Sequence, residues 1–174
     1  MGDLRIMDCR PEIIVSDACV LIDYCLTNKK ILRLVSRHIW KIYVLRPVFV
    51  EVKELDEETA DTLEIEIIDP DISQLQRAGK RGGGLSRSDR LCFLAAKDNG
   101  WNCWTNDIGL RKLCKKEEVP VYWGLEVMIS LYRLGHITIV DAIETARKIH
   151  KINKKHITEE IIARFINKIN EPIE

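Results

Sequence analysis

The 174-residue sequence has few of the features that mark specialised classes of protein. Its six cysteines include no Cys-x-x-Cys pair, so a zinc cage is not expected. No apolar run approaches the roughly 18 residues that a membrane-spanning helix needs. The first residues also lack the apolar stretch of a signal peptide. We therefore expect a cytoplasmic protein with free thiols and no membrane contact.

The sequence also has no net charge, because 27 Lys and Arg residues balance 27 Asp and Glu residues. Such a balance disfavours a protein that is coated in positive charge for nucleic acid. The charge is segregated along the chain, however. Residues 51–71 contain ten acids and one base, a net charge of −9, so the remaining residues carry +9. A nucleic-acid ligand is therefore not excluded, and its binding is expected to be local.

Short β-branched runs alternate with helical patterns between residues 13 and 123. The predicted strands are Ile13–Val15, Ile42–Leu45, Leu63–Ile68, Asn102–Thr105 and Val119–Trp123. The strand-helix order with short links predicts an α/β fold with a central, mainly parallel sheet. From residue 124 onward the pattern is helical. We expect one domain over residues 1–135 and a C-terminal helical extension over residues 136–174, which packs on that domain or projects from it.

Four acids stand where ligands gather in such folds. In open α/β sheets, ligands bind at the carboxyl ends of the strands. Asp17 follows the first strand, Glu51 lies beyond the second, Asp107 follows the fourth, and Asp89 begins a strong helix. Converging carboxylates repel one another, and hard cations such as Mg²⁺ or Mn²⁺ relieve that repulsion. A site of this kind can activate water for phosphodiester cleavage.

The stretches around these acids resemble the motifs of the PIN-domain family in order and context. They are Ile14-Val-Ser-Asp-Ala-Cys-Val-Leu-Ile22, Val48-Phe-Val-Glu-Val52, Leu85-Ser-Arg-Ser-Asp-Arg-Leu-Cys-Phe-Leu-Ala-Ala96 and Trp104-Thr-Asn-Asp107. The resemblance covers roughly residues 12–135. PIN domains are α/β metal-dependent nucleases, many of them VapC-type toxin ribonucleases of toxin–antitoxin pairs.

The resemblance implies a three-layer α/β/α fold, to which the helical extension is added. It also implies a set of metal-binding and catalytic acids, which are Asp17, Glu51, Asp89 and Asp107. Thr105 matches the small hydroxyl residue that commonly supports such a site. Four bases beside the glycine-rich loop could hold phosphates of a substrate, or they could simply be solvated; they are Lys80, Arg81, Arg87 and Arg90.

Structural roles compete with these assignments. Asp17 and Asp107 could each cap the helix that follows. Ser86 and Asp89 have the spacing of a capping box. Glu51 opens an acidic run and could be a solvated residue. For Asp23, six residues after Asp17, a surface position is expected.

These observations predict a Mg²⁺- or Mn²⁺-dependent endoribonuclease that uses a metal-activated water. The resemblance adds the toxin role, a small antitoxin protein as a partner that blocks the acids, and a homodimer. One alternative is a non-catalytic α/β module that binds RNA or a protein. Another is a DNA nuclease with the same acidic site.

Overall fold

The computed structural model describes residues 12–80 and 84–172. Five short strands form one sheet: β1 (Ile13–Ser16), β2 (Lys41–Leu45), β3 (Glu66–Ile68), β4 (Asn102–Trp104) and β5 (Val121–Tyr122). The strand order is β3-β2-β1-β4-β5, and every pairing is parallel. The predicted α/β fold with a parallel central sheet is therefore confirmed.

Helices connect the strands and complete the chain. They are α1 (Ala18–Thr27), α2 (Lys29–His38), α3 (Arg46–Phe49), α4 (Glu57–Thr62), α5 (Ile72–Ala78), α6 (Arg87–Asn99), α7 (Ile108–Lys116), α8 (Glu126–Arg133), α9 (Ile139–Ile152) and α10 (Glu159–Ile169). Within the described ranges, none of these helices is long and apolar enough to cross a membrane.

The sheet lies between two layers of helices. One layer contains α1, α2, α8 and α9, which pack against one another, and the other contains α5, α6 and α7. Parallel strands covered on both faces are apolar along their length rather than alternating. Accordingly, Ile14, Val15, Ile42 and Val44 in the central strands β1 and β2 are all fully buried. This is the three-layer α/β/α arrangement expected from the sequence.

The acidic stretch folds differently from its sequence pattern. The alternation of Leu63, Ile65 and Ile67 predicted a strand from residue 63, but β3 begins only at Glu66. Leu63 instead ends α4, and Glu64 follows in the left-handed region with φ of 60°. Leu63 and Ile65 are still buried. The alternation therefore arises from a helix end and a turn, which bury every second residue without forming a strand.

Pro47 suits the first turn of a helix and predicts one that runs to about Leu55, but the observed helix α3 is shorter. It ends at Phe49, and the separate helix α4 starts after Asp56. The Asp56 side chain accepts a hydrogen bond from the Thr59 N–H at 2.7 Å, which caps α4 at its N-terminus. This cap starts a new helix in the middle of the acidic run.

The last two helices pack on the rest of the chain. Helix α9 contacts α1 and α8, and α10 contacts α8 and α9. The Asn28 amide of the first layer donates a hydrogen bond to the Thr145 hydroxyl of α9 at 3.1 Å. Ile149, Phe165 and Ile169 are buried in these contacts. The division of the chain at residue 135 stays a prediction.

Removal of residues 136–174 tests how far the extension supports the domain. Each large apolar side chain that loses its burial costs about 1.5–3 kcal/mol. We expect the shortened chain to have a lower free energy of unfolding in urea and to bind a hydrophobic dye. An unchanged unfolding midpoint would mean that residues 1–135 fold independently of the extension.

Candidate functional site

The strand order reverses between β1 and β4, which are neighbours in the sheet although far apart in sequence. Ser16 of β1 is paired with Trp104 of β4, and the Asp17 N–H donates to the Trp104 carbonyl oxygen at 3.1 Å. The next residue on each strand, Asp17 and Thr105, therefore lies at the carboxyl end of the sheet beside this reversal. Ligands bind at this position in open α/β sheets.

The Asp17 carboxyl group is buried and held by both of its oxygens. Its side chain accepts a hydrogen bond from the Val20 N–H at 2.9 Å, and the Thr105 hydroxyl donates to the other oxygen. The Thr105 oxygen in turn accepts the Asp107 N–H at 2.9 Å. Asp17 thus caps α1, as the structural alternative predicted, and it also contacts the residue expected to support the site.

Burial raises the pKa of Asp17 from 3.8 to about 7. The hydrogen bonds from Thr105 and Val20 act in the opposite direction because they favour the ionised form, whereas the negative charge of Asp89 raises the pKa further. In its ionised form, this carboxyl group is therefore a negative charge that is largely removed from water. Such a group gains strongly from a bound cation.

Helix α6 brings Asp89 to the same edge. The Cys92 thiol donates to the Ser16 carbonyl oxygen at 3.6 Å, so this part of α6 lies against the end of β1. Asp89 is three residues earlier and shares that helix face. Its half-buried carboxylate accepts from the Ser86 hydroxyl at 2.7 Å, and the predicted capping box is present. Asp89 therefore combines a capping role with a position near Asp17.

Glu51 and Asp107 are the other two predicted acids. Glu51 follows α3 and is exposed, and its carboxylate accepts a hydrogen bond from the Ser88 hydroxyl of α6. Asp107 is half-buried and caps α7, since it accepts the Leu110 N–H at 2.8 Å. Glu51 is thus bonded to α6, which carries Asp89, and the Asp107 N–H is bonded to Thr105, which contacts Asp17.

The pKa values of two thiols, the half-buried Cys19 and the buried Cys92, are raised in part by the charges of these acids. Burial is the main cause that raises the pKa of Cys19 to about 12, and the negative charges of Asp17, Asp23, Asp89 and Asp107 raise it further.

The pKa of the Cys92 thiol is raised well above its usual value, chiefly by burial. The charges of Asp17, Asp89 and Glu51 add to this effect. All four predicted acids therefore act on the space around the end of β1.

The donor chemistry of this edge suits a hard divalent cation. All the candidate ligands are carboxylate oxygens, which Mg²⁺ and Mn²⁺ prefer. Among residues 12–80 and 84–172, no three His, Cys, Asp or Glu side chains lie close enough together to hold a metal ion. An open arrangement fits Mg²⁺, which keeps several waters and usually takes only one or two carboxylates from a protein.

The bases predicted to hold phosphates differ in their surroundings. Lys80 and Arg87 are exposed, whereas Arg90 is half-buried and donates to the Leu85 carbonyl oxygen at 2.9 Å and to the Lys80 carbonyl oxygen. Arg90 therefore holds the loop that leads into α6. Arg81 lies outside the described residues. Phosphate binding by these side chains stays a prediction.

The structure adds residues that the sequence did not single out. Asp23, expected at the surface, is only 3% exposed, so that expectation is wrong. Its carboxyl group accepts from the Asn106 amide at 3.0 Å and from the Asn153 amide at 3.0 and 3.1 Å. Burial raises the pKa of Asp23 to about 6, while these two amides lower it. The hydrogen bond to Asp23 thus fixes the side chain of Asn106, which stands between Thr105 and Asp107 in the sequence.

Asn106 also holds the segment that follows β5. Its side-chain oxygen accepts the Gly124 N–H at 2.9 Å, and the Gly124 carbonyl oxygen accepts the Tyr24 hydroxyl at 2.5 Å. A Cβ atom at residue 124 would lie 2.6 Å from the Asn106 amide nitrogen. Glycine is therefore required here by close approach. The sequence signal was available, because a polar residue directly after a strand is often part of a site.

Comparison with known proteins supports the fold. The structure is similar to that of a PilT N-terminus (PIN) domain protein from the hyperthermophilic archaeon Sulfolobus solfataricus P2, with a TM-score of 0.51 and 13% sequence identity. The match covers 68% of this chain and 92% of that one. No known family profile and no curated protein sequence matches the chain. The chain therefore has a PIN-like fold.

The raised pKa of Asp17 predicts a pH dependence of stability. Between pH 3.8 and about pH 7 the folded protein keeps a proton that the unfolded chain releases, so this group lowers the free energy of unfolding as pH rises. Asp17→Asn removes the titration and keeps a capping oxygen. In urea with EDTA, we expect wild type to lose stability relative to Asp17→Asn across this range, by up to about 4 kcal/mol. A difference independent of pH would contradict the burial of an ionisable Asp17.

Gly124→Ala tests the contact below the site. The added methyl group collides with Asn106, and overpacking of this kind costs about 1–3 kcal/mol. Gly79→Ala is the matched control, because its Cβ would meet backbone only at 3.4 Å, with φ of −74°. We expect thermal unfolding to show a decrease in stability for Gly124→Ala and little change for Gly79→Ala. Equal effects would mean that residue 124 has no special packing constraint.

Proposed function

We propose that this chain is a divalent-metal-dependent nuclease that hydrolyses RNA. The observation that carries the proposal is Asp17, a carboxyl group at the reversal of strand order whose pKa is raised chiefly by burial and further by the charge of Asp89. Burial of an ionised carboxylate costs stability, and the two hydrogen bonds to Asp17 offset only part of that cost. A bound cation would offset this cost, and strongly shifted pKa values are typical of functional sites.

The residues have separate tasks in this proposal. Asp17 and Asp89 would hold the main ion, Glu51 would orient that ion or a water, and Asp107 would complete the site. The Thr105 hydroxyl donates to Asp17, which fixes one carboxylate oxygen and favours its ionised form. When bound, the ion would supply the charge that acidifies water and stabilises the phosphodiester during hydrolysis.

The PIN-like fold supports the general class, and the choice of RNA over DNA rests on the resemblance of the motifs. Arg87 belongs to α6, which carries Asp89, and the Lys80 carbonyl oxygen accepts from Arg90 of the same helix; these two exposed bases would attract the phosphate backbone. The toxin role, the antitoxin partner and the homodimer stay predictions of the resemblance, because they concern other chains rather than this site.

Cleavage of labelled single-stranded and structured RNA with Mn²⁺ tests the proposal. We expect products with wild type in Mn²⁺ or Mg²⁺, none in EDTA, and at least a hundredfold slower cleavage by Asp17→Asn, since loss of electrostatic stabilisation at a reacting centre costs about 10²–10³ in rate. Asp61→Asn is the control, because Asp61 is an exposed acid of α4.

Cleavage that persists in EDTA or in Asp17→Asn would contradict the nuclease proposal, because a contaminating or metal-independent activity would then be responsible. The non-catalytic alternative has one observation in its favour, which is that Glu51 and Asp89 already accept hydrogen bonds from serines of the α6 region. RNA binding without cleavage, and without measurable affinity for Mn²⁺, would support that alternative. The same assay with single-stranded DNA separates the two nuclease types.

A further inference from the structure

A cleft of about 280 Å³ lies beside the edge strand β5, away from the acids. It is bounded by α7, by α10 and by the segment that leads from β5 into α8. We call it the edge cleft. Its charged lining residues are Arg111, Lys115, Glu126, Arg164 and Lys168, and its aromatic ones are Trp123 and Phe165. Four cations against one carboxylate give this lining a net charge of +3, in a protein whose overall net charge is zero.

Arg111 is the centre of the edge cleft. Its guanidinium group lies over the Trp123 ring, 3.9 Å from the ring centroid. One of its terminal nitrogens, Nη1, is buried and has no hydrogen-bond partner among the described residues. Arginine stays charged in proteins, and a buried donor without an acceptor is costly. An anion that enters the cleft would supply the missing acceptor.

The one acid in the lining does not oppose an anion strongly. Glu126 accepts the Trp123 N–H at 2.8 Å through one oxygen and the Lys168 ammonium at 3.3 Å through the other. The negative charge of Glu126 is therefore largely compensated by these two contacts within the protein. Lys115 is exposed at the mouth of the cleft and extends the positive charge towards solvent.

Helix α7 connects the edge cleft to the acids. Asp107 caps this helix, and Arg111 and Lys115 follow at intervals of four residues. Residues at this spacing share a helix face, and a rise of 1.5 Å per residue places them about 6 and 12 Å along the axis from Asp107. Trp123 directly follows β5, so it also lies at the carboxyl edge of the sheet. A chain of phosphates that reaches the acids could continue into the cleft.

We propose that the edge cleft binds a phosphate group of the nucleic-acid strand whose cleavage is proposed above, a short distance along the strand from the reacting phosphodiester. This inference rests on the proposed function. It makes α10, which contributes Arg164 and Lys168, part of the substrate site. The C-terminal extension then has a recognition role in addition to packing.

A phosphate strand fits the edge cleft better than an acidic peptide does. Arginine recognises phosphate through two parallel hydrogen bonds, and Arg111 has a buried donor to offer. The volume of 280 Å³ lies at the lower limit for small-ligand pockets, which suits one phosphate with its sugar. Because Arg111 shares a face of α7 with Asp107, a bound strand would run along this helix from the acids into the cleft.

Binding of a fluorescein-labelled single-stranded RNA, measured by fluorescence anisotropy in EDTA, separates this inference from catalysis. The test variant is Arg111→Gln with Lys115→Gln, and the control is Lys154→Gln with Lys155→Gln, two exposed lysines between α9 and α10. We expect the test variant to raise the Kd about tenfold, and to reduce the slope of log K against log salt by about 0.7 for each phosphate that the protein no longer neutralises. The control variant should change neither.

Two further measurements make the result interpretable. Circular dichroism and urea unfolding show whether the test variant is folded, and Lys168→Gln, at the rim, provides a milder change whose Kd should rise less. Arg111→Lys keeps the charge but removes the planar donors, and we expect a Kd between those of wild type and the double variant.

An unchanged Kd and salt slope in the folded test variant would overturn the inference, whether or not the protein cleaves RNA. A raised Kd in a protein that does not cleave RNA would support phosphate binding by the cleft and contradict the nuclease proposal alone. Poly-glutamate serves as an acidic peptide probe. If the test variant binds poly-glutamate more weakly than wild type but binds RNA equally well, the ligand of the cleft is an acidic protein, and the nucleic-acid assignment is overturned.

Discussion

The buried carboxyl group of Asp17 is the constraint around which the carboxyl edge of the sheet is arranged. It lies where the strand order reverses, and it is removed from water by the strands on both sides and by α6. Two hydrogen bonds offset part of the cost of burying its charge, yet burial still raises its pKa to about 7. Stability alone does not favour such a group, because a protonated or apolar residue would fill the position at lower cost. The acids around it increase that cost rather than relieve it.

A separate network of polar contacts also stabilises the carboxyl edge of the sheet. Asp23, Asn106 and Asn153 form hydrogen bonds that join α1, the end of β4 and the end of α9. Gly124 completes the network through the Asn106 side-chain oxygen. Because buried polar groups are costly unless each has a partner, the members of this network fix one another's positions. The extension is thereby connected to the residues beside Thr105 and Asp107 by specific bonds as well as by apolar packing.

The charge distribution also becomes clearer in three dimensions. Four of the ten acids in the stretch 51–71 contact bases outside it, since Arg37 contacts Glu64 at 2.5 Å, Lys41 contacts Glu66 at 2.5 Å, and Arg46 contacts Asp69 at 2.8 Å and Glu57 at 3.4 Å. These exposed pairs contribute little stability, about 0–1 kcal/mol each. Their main effect is to neutralise the acidic surface. The acidic stretch does not offset the positive charge of the edge cleft. It leads into β3 at one edge of the sheet, whereas the cleft lies beside β5 at the other edge.

The sequence was sufficient to predict the fold class, the parallel sheet and the positions of Asp17, Asp89 and Asp107 at helix starts, because short apolar runs, helical periodicity and capping residues act locally. It misjudged the region around Leu63, where a helix end and a turn produce the same alternation as a strand. The burial of Asp23 is visible only in the tertiary structure, because its hydrogen-bond partner Asn153 is 130 residues away in sequence. The edge cleft was equally hidden, because Arg111, Trp123 and Lys168 come from three separate segments. Local patterns fix elements, whereas the burial of a polar group and the lining of a cleft depend on which distant segments pack together.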